Sequence, residues 1–333
     1  MEFLQPLNKL DSFPPMLRAI FNTYRGALEY PASREARATK IANDTFFFLH
    51  DSNPDVEDGG ALSSIWYVLM QMVSHIPAGH DWQQTLVLAS DYVRQRGPAG
   101  NDEFPDIDWM NLPELSIVLR EYWEYKPFAG DETDPVPLTE WQNANSFVAH
   151  LVGCGHVQPL YLGMWEIRSA LEEGPKPGPL MDCRAWVAAE WILCCSKVLL
   201  EEMNLPNEEL DEHDIAVLRP GDLYGSDLPP RSLQRWEFWK KRLAEISKEF
   251  EELGLEAETK NRVEEAIKVM ESAEKGETNA DADAIPAEAA TKSNEPSLEA
   301  ETKDPVREAP KVMESQSAEK VETDVNPDAV SAE

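Results

Sequence analysis

Glu190, Cys194, Lys197 and Glu201 recur at i, i+4, i+7 and i+11, the spacing that sets side chains along one face of a helix. Charged residues so placed usually form a solvated stripe with weak contacts along the helix. The sharper alternative concerns Glu190, which sits between Ala188-Ala189 and Trp191 and would be buried with them. A buried carboxylate needs a cation, and Arg168 and Arg235 are the candidates. Such pairs are structural more often than catalytic.

Thiols and imidazoles offer a second chemistry. Cys154, Cys183, Cys194 and Cys195, with His156, contain no CxxC and no other zinc-ligand spacing. Neighbours on a helix point about 100° apart, so Cys194 and Cys195 read as small residues packing a helix. Asp211-Glu212-His213-Asp214 is acidic enough for a cation, but it lies in a Pro-bounded linker and lacks the alternating ligands of a calcium loop. It reads as a solvated loop. His75 suits the negative end of a helix and His80 the start of the next. Arg235-Trp-Glu-Phe-Trp-Lys-Lys-Arg242 interleaves basic and aromatic residues as phosphate binders do, yet Trp236 and Trp239 belong to an apolar stripe. GxGxxG, GxxxxGK[ST], HExxH, GxSxG and DDxxD are all absent from the sequence. The sequence therefore nominates no catalytic, cofactor-binding or metal-binding residue and no cofactor.

The elements that carry these residues follow a helical period. Nine helices are expected: from Pro14-Pro15 to Leu28; Ser33 to His50, with Phe46-Phe47-Phe48-Leu49 largely buried; Leu62 to Val73; Asp81 to Arg96; Leu112 to Tyr125; from a Thr139 cap through Leu151; Leu160 to Glu173; Met181 to Met203; and a stripe Trp236, Trp239, Leu243, Ile246, Phe250. Residues 206–230 read as a loop. The spacing predicts one buried cluster holding Trp66, Leu69, Trp165, Trp191, Trp236 and Trp239. No segment alternates as a strand would.

Every aromatic residue lies at or before Phe250. Residues 1–253 carry 21 basic and 41 acidic residues, a net −20; residues 254–333 carry 9 and 21, a net −12. The fold class is thus all-α: a single multi-helix domain over 1–254, a helical extension at 255–275 held by Val263, Ile267 and Met270, and a disordered acidic low-complexity tail at 276–333. Within the tail, Leu255–Lys260 recurs as Leu298–Lys303 and Lys268–Ser272 as Lys311–Ser315. Prolines 305 and 310 oppose a helix in the second copy.

Acidity in both halves argues against nucleic acid or a membrane as partner. Met1–Phe13 has no basic start followed by an apolar run, and no stretch is long enough to span a bilayer. Unpaired thiols then suit an intracellular compartment, cytoplasmic or nuclear.

Several phrases are distinctive: Ile65-Trp66 with Ile76-Pro77…His80; Glu140-Trp141…Asn143…Asn145…Phe147; Trp165…Arg168…Ala170-Leu171-Glu172; Ala189-Glu190-Trp191-Ile192; and Gly221-Asp222-Leu223-Tyr224 with Leu233…Arg235-Trp236…Phe238-Trp239-Lys240. Over residues 62–250 the chain resembles an uncharacterised family of fungal proteins defined by a domain of unknown function. Tyr224 stands where that pattern has Trp. The resemblance implies a helical fold and a fungal source, and carries over no activity and no functional residue. The function expected is a non-enzymatic helical protein-interaction or scaffold domain with an unidentified protein partner. The alternative is an enzyme or small-molecule binder with an interhelical pocket lined by Trp and Tyr.

Overall fold

A computed structural model of the chain describes residues 14–51, 60–96, 109–127 and 137–276. The expectations for the N-terminal segment and for the repeated tail after 276 lie outside these residues. Among the described residues there are twelve α-helices and no strands.

The first four helices follow the apolar period. α1 (Pro15–Glu29) starts on a proline, whose missing N–H costs nothing in the first turn, and buries Ile20, Tyr24, Ala27 and Leu28. α2 (Arg34–Asp51) is capped by Ser33, whose Oγ accepts from the Ala36 amide at 3.2 Å. Phe46 is buried, but Phe47 is 61 % exposed, so the run Phe46–Leu49 is not buried throughout. Successive residues turn 100° around the axis, and four in a row cannot all face one core. α3 (Gly60–His75) and α4 (Asp81–Arg96) bury Ile65, Trp66, Leu69, Val73, Leu86 and Val93.

Two boundaries differ from the sequence expectation for backbone reasons. α5 covers Leu115–Trp123 rather than beginning at Leu112. Leu112 and Glu114 have φ of +45° and +65°, a left-handed region that costs energy in any residue with a side chain. The Trp66 indole N–H pins this turn by donating to the Pro113 carbonyl at 2.7 Å. α6 (Leu138–Gly153) begins after Pro137, so Thr139 lies inside the first turn instead of capping it.

α7 (Leu160–Ile167) runs straight into a π turn, Arg168–Glu172, where the sequence reads as one continuous helix. α8 (Pro179–Met203) is central to the packing of the described helices. It packs most extensively on α12 (Ala257–Glu274) and α6, and also on α7 and α10 (Leu233–Lys248). α11 (Phe250–Leu253) is a single turn that links α10 to α12 through Gly254, in the left-handed region. The expected loop 206–230 contains a short helix, α9 (Glu212–Val217). Its capping box joins Asp211 and Asp214, each side chain accepting from the other's amide.

Trp66, Leu69, Trp191, Trp236 and Trp239 lie in one contiguous core, with Trp165 partly buried against it. Glycines permit the closest approaches to α8. A Cβ on Gly163 would lie 2.3 Å from the Trp191 ring, and one on Gly153 would lie 2.2 Å from the Cys194 carbonyl oxygen. α12 buries Val263, Ala266 and Met270 against this core. Among the described residues no helix is long and apolar enough to cross a membrane.

Candidate functional site

The π turn presents two different surfaces. A π turn accommodates one extra residue in a helix and often marks a functional position. Here its last residue, Glu172, is fully buried. The carboxylate accepts from Arg235 Nε at 2.7 Å and Nη2 at 3.1 Å, from the Trp239 indole at 2.5 Å and from the Gly221 amide at 2.6 Å. The remaining Arg235 Nη donates to the carbonyls of Leu218 and Pro230, at 2.8 and 2.7 Å. Gly221 must lack a side chain, since a Cβ there would lie 2.6 Å from the Glu172 carbonyl oxygen. The centre is saturated, and its effect is to stitch the 206–230 segment onto the helices.

The first residue of the turn, Arg168, faces a cleft of about 630 Å³ whose walls include Glu173, Lys176, Arg184, Gly221 and Asp222. Three cations thus converge on one hollow in a chain of net charge −32. Arg168 donates from Nη1 to the Arg219 carbonyl at 3.1 Å, and Arg184 holds Glu173 at 3.7 Å. The Nε–H groups of both arginines are buried and have no acceptor among the described residues. A buried donor without a partner costs about 1–3 kcal/mol.

Glu190 lies 4 % exposed on α8. Its partners are neither Arg168 nor Arg235. Oε1 accepts from the Ser146 hydroxyl at 2.6 Å, and Oε2 is paired with Arg262 from α12. Arg168 faces the cleft, and Arg235 is fully used by Glu172 and the carbonyls of Leu218 and Pro230, so neither arginine is left for Glu190. The rest of its stripe grades outward: Cys194 is partly buried, Lys197 and Glu201 exposed. Sequence reasoning missed Glu166 altogether. It is buried and held by Lys126 at 2.8 Å, with the Trp141 indole at 3.4 Å. Asp91 is likewise held by Arg94 at 2.7 Å and His156 at 3.3 Å.

None of the four cysteines, all among the described residues, forms a disulfide. Cys183 and Cys195 are buried, and their thiols donate to the carbonyls of Leu138 and Ala149 at 3.6 and 3.2 Å. Burial pushes the Cys183 thiol up to about 12 and the Cys195 thiol upward as well. His80 caps α4 by accepting from the Trp82 amide at 3.1 Å, and His75 closes α3 beside Glu140 at 3.5 Å. In Arg235–Arg242, Arg235 and both tryptophans are buried, while Lys241 is exposed.

These positions bear on the comparison with known proteins. No curated protein and no solved structure matches the chain. The distinctive phrases around Trp66, Trp141, Trp165, Glu190, Gly221 and Trp239 form the core, the buried carboxylate centres and the cleft wall. Over residues 66–243, more than half of its length, the chain matches the family described as "Protein of unknown function (DUF3632)", and it belongs to that family.

Proposed function

We propose that the domain is a non-catalytic helical recognition module whose basic cleft receives an anionic group, a carboxylate or phosphate, carried by a partner or ligand. The observation that supports this reading is the convergence of Arg168, Lys176 and Arg184 on one hollow, with two buried guanidinium donors lacking acceptors. Guanidinium forks match the geometry of carboxylate and phosphate oxygens. Glu173 and Asp222 on the walls would set orientation and exclude ligands carrying charge at the wrong place.

A catalytic reading draws less support. The buried Glu172, Glu166 and Asp91 are each satisfied by neighbouring cations and point into packed structure. The cleft is polar and is not lined by Trp or Tyr. The acidic segment after 276 would act as a spacer or solubilising arm on an intracellular protein.

Thermal-shift titration of the full chain with sulfate, phosphate, citrate and an acidic peptide tests the reading. At least one anion should raise the melting temperature, and Arg184→Glu should abolish the rise. An unshifted melt for every anion, or a shift that survives Arg168→Glu and Arg184→Glu together, would defeat it.

A further inference from the structure

A second cluster lies away from the cleft, between α6 and α8. Gly153 lets the two helices approach until its Cα faces the Cys194 backbone. One turn of α6, Ser146 to His150, then meets one turn of α8, Glu190 to Cys194. Both pairs are spaced i, i+4, so each presents two side chains on the facing side. The ligand atoms of His150, Glu190 and Cys194 all lie within 4.8 Å of one another. Cys194 Sγ is 3.6 Å from His150 Nδ1 and 3.9 Å from Nε2. Bonds of ~2.0–2.3 Å around a tetrahedral zinc place neighbouring ligands roughly 3.5 Å apart.

The supports a metal site needs are in place. His150 Nδ1–H donates to the Ser146 carbonyl at 2.8 Å, which fixes the tautomer and leaves Nε2 with its lone pair. The Ser146 hydroxyl holds one oxygen of Glu190. Glu190 is buried, while His150 and Cys194 are partly exposed and give a cation a route in. The position already holds a cation. Arg262 pairs with Glu190, and its guanidinium also lies 4.2 Å from the centre of the Trp186 ring. It can give up the carboxylate and remain over the indole.

We propose that His150, Glu190 and Cys194 form a site for a thiophilic divalent cation, zinc foremost, with Arg262 as its resident competitor. On binding, the Cys194 thiol loses its proton to solvent, and thiolate and carboxylate together neutralise the two positive charges. His150 supplies Nε2 and water the fourth position. Thiolate and imidazole select zinc over calcium or magnesium. The inference is independent of the anion cleft, which shares no residue with it.

Cobalt(II) titration of the reduced full-length protein tests the site, because a tetrahedral thiolate complex absorbs visibly and zinc bleaches it. One equivalent should bind, with a thiolate charge-transfer band. Cys194→Ser and His150→Gln should abolish the band while helicity by circular dichroism is kept. Arg262→Gln should tighten binding about tenfold, the worth of one charge-assisted hydrogen bond. Should either ligand variant misfold, the wild type supplies a further measurement: saturating zinc should protect Cys194 from alkylation, read by peptide mapping. The proposal is overturned by the lack of a thiolate–cobalt band, by a band that survives Cys194→Ser, by Arg262→Gln binding no tighter, or by Cys194 left unprotected.

Discussion

Glu172 and Glu190 are both buried carboxylates paired with an arginine, and they are built differently. Glu172 meets an arginine that is itself 1 % exposed, and four donors from three residues converge on it, two of those residues on α10 and one in the preceding loop, all within the family region. Glu190 meets an arginine that is 25 % exposed and comes from α12, beyond that region. The first pair has no freedom left: its arginine is bound at every nitrogen and fixes the loop that forms one cleft wall. The second pair leaves its carboxylate with one hydroxyl and one partly exposed cation. Saturation marks a fastener, and a replaceable partner marks a place where a different cation can compete.

The comparison breaks most severely if α12 is removed. Val263 and Met270 are fully buried and each contributes ~1.5–3 kcal/mol. Trp236 also loses its acceptor, since its indole donates to Glu274 at 2.7 Å. A chain ending at Gly254 should therefore lose most of its stability in urea, whereas a chain ending at Gly276 should melt like the full protein. Equal melts for the two truncations would show that α12 contributes no packing.

Next comes the fastener. Arg235→Ala leaves Glu172 buried without a cation and should cost ~3–5 kcal/mol in denaturant melts. A loss below about 1 kcal/mol would mean that water reaches Glu172, and the contrast with Glu190 would disappear. Gly163→Ala drives a methyl into the Trp191 ring and should cost ~1–3 kcal/mol through overpacking alone. Arg262→Gln should cost less, about 1 kcal/mol, because Ser146 stays on Glu190 and solvent reaches the partly exposed side.

The helices were largely legible because an amphipathic period survives in the sequence: Leu62, Ile65, Trp66, Leu69 and Val73 are all buried. The π turn was not, since one extra residue barely alters the apolar pattern of Ala170-Leu171. α9 was hidden because Asp211 and Asp214 read as an acidic cluster, although an acid at N-cap and another at N3 is a capping signal. The partner of Glu190 was out of reach. Arg262 lies 72 residues away, in a segment without aromatics, and only the docking of α12 brings it there. The cleft cations come from the π turn, a loop and α8, so no spacing rule links them. Side chains assembled by tertiary contact leave no local trace.

Asp91 supplies the mildest test, because one of its two partners, His156, responds to pH. His156 is 7 % exposed, and its Nε2 lies 3.3 Å from the Asp91 carboxylate, which Arg94 already holds. Burial depresses the imidazole's pKa below its ordinary value; Asp91 pulls it up and Arg94 pushes it down, and burial dominates. A histidine with a depressed pKa is kept neutral by the fold, while the unfolded chain takes up the proton near pH 6.5. The stability it contributes is therefore present above ~6.5 and is lost as pH falls through that value toward the lower folded one. Melting temperature measured between pH 8 and 5 should decline in the wild type and decline less in His156→Gln, which cannot titrate. Parallel declines in the two proteins would show that the carboxylates alone govern acid sensitivity, and that Arg94 fastens Asp91 as Arg235 fastens Glu172.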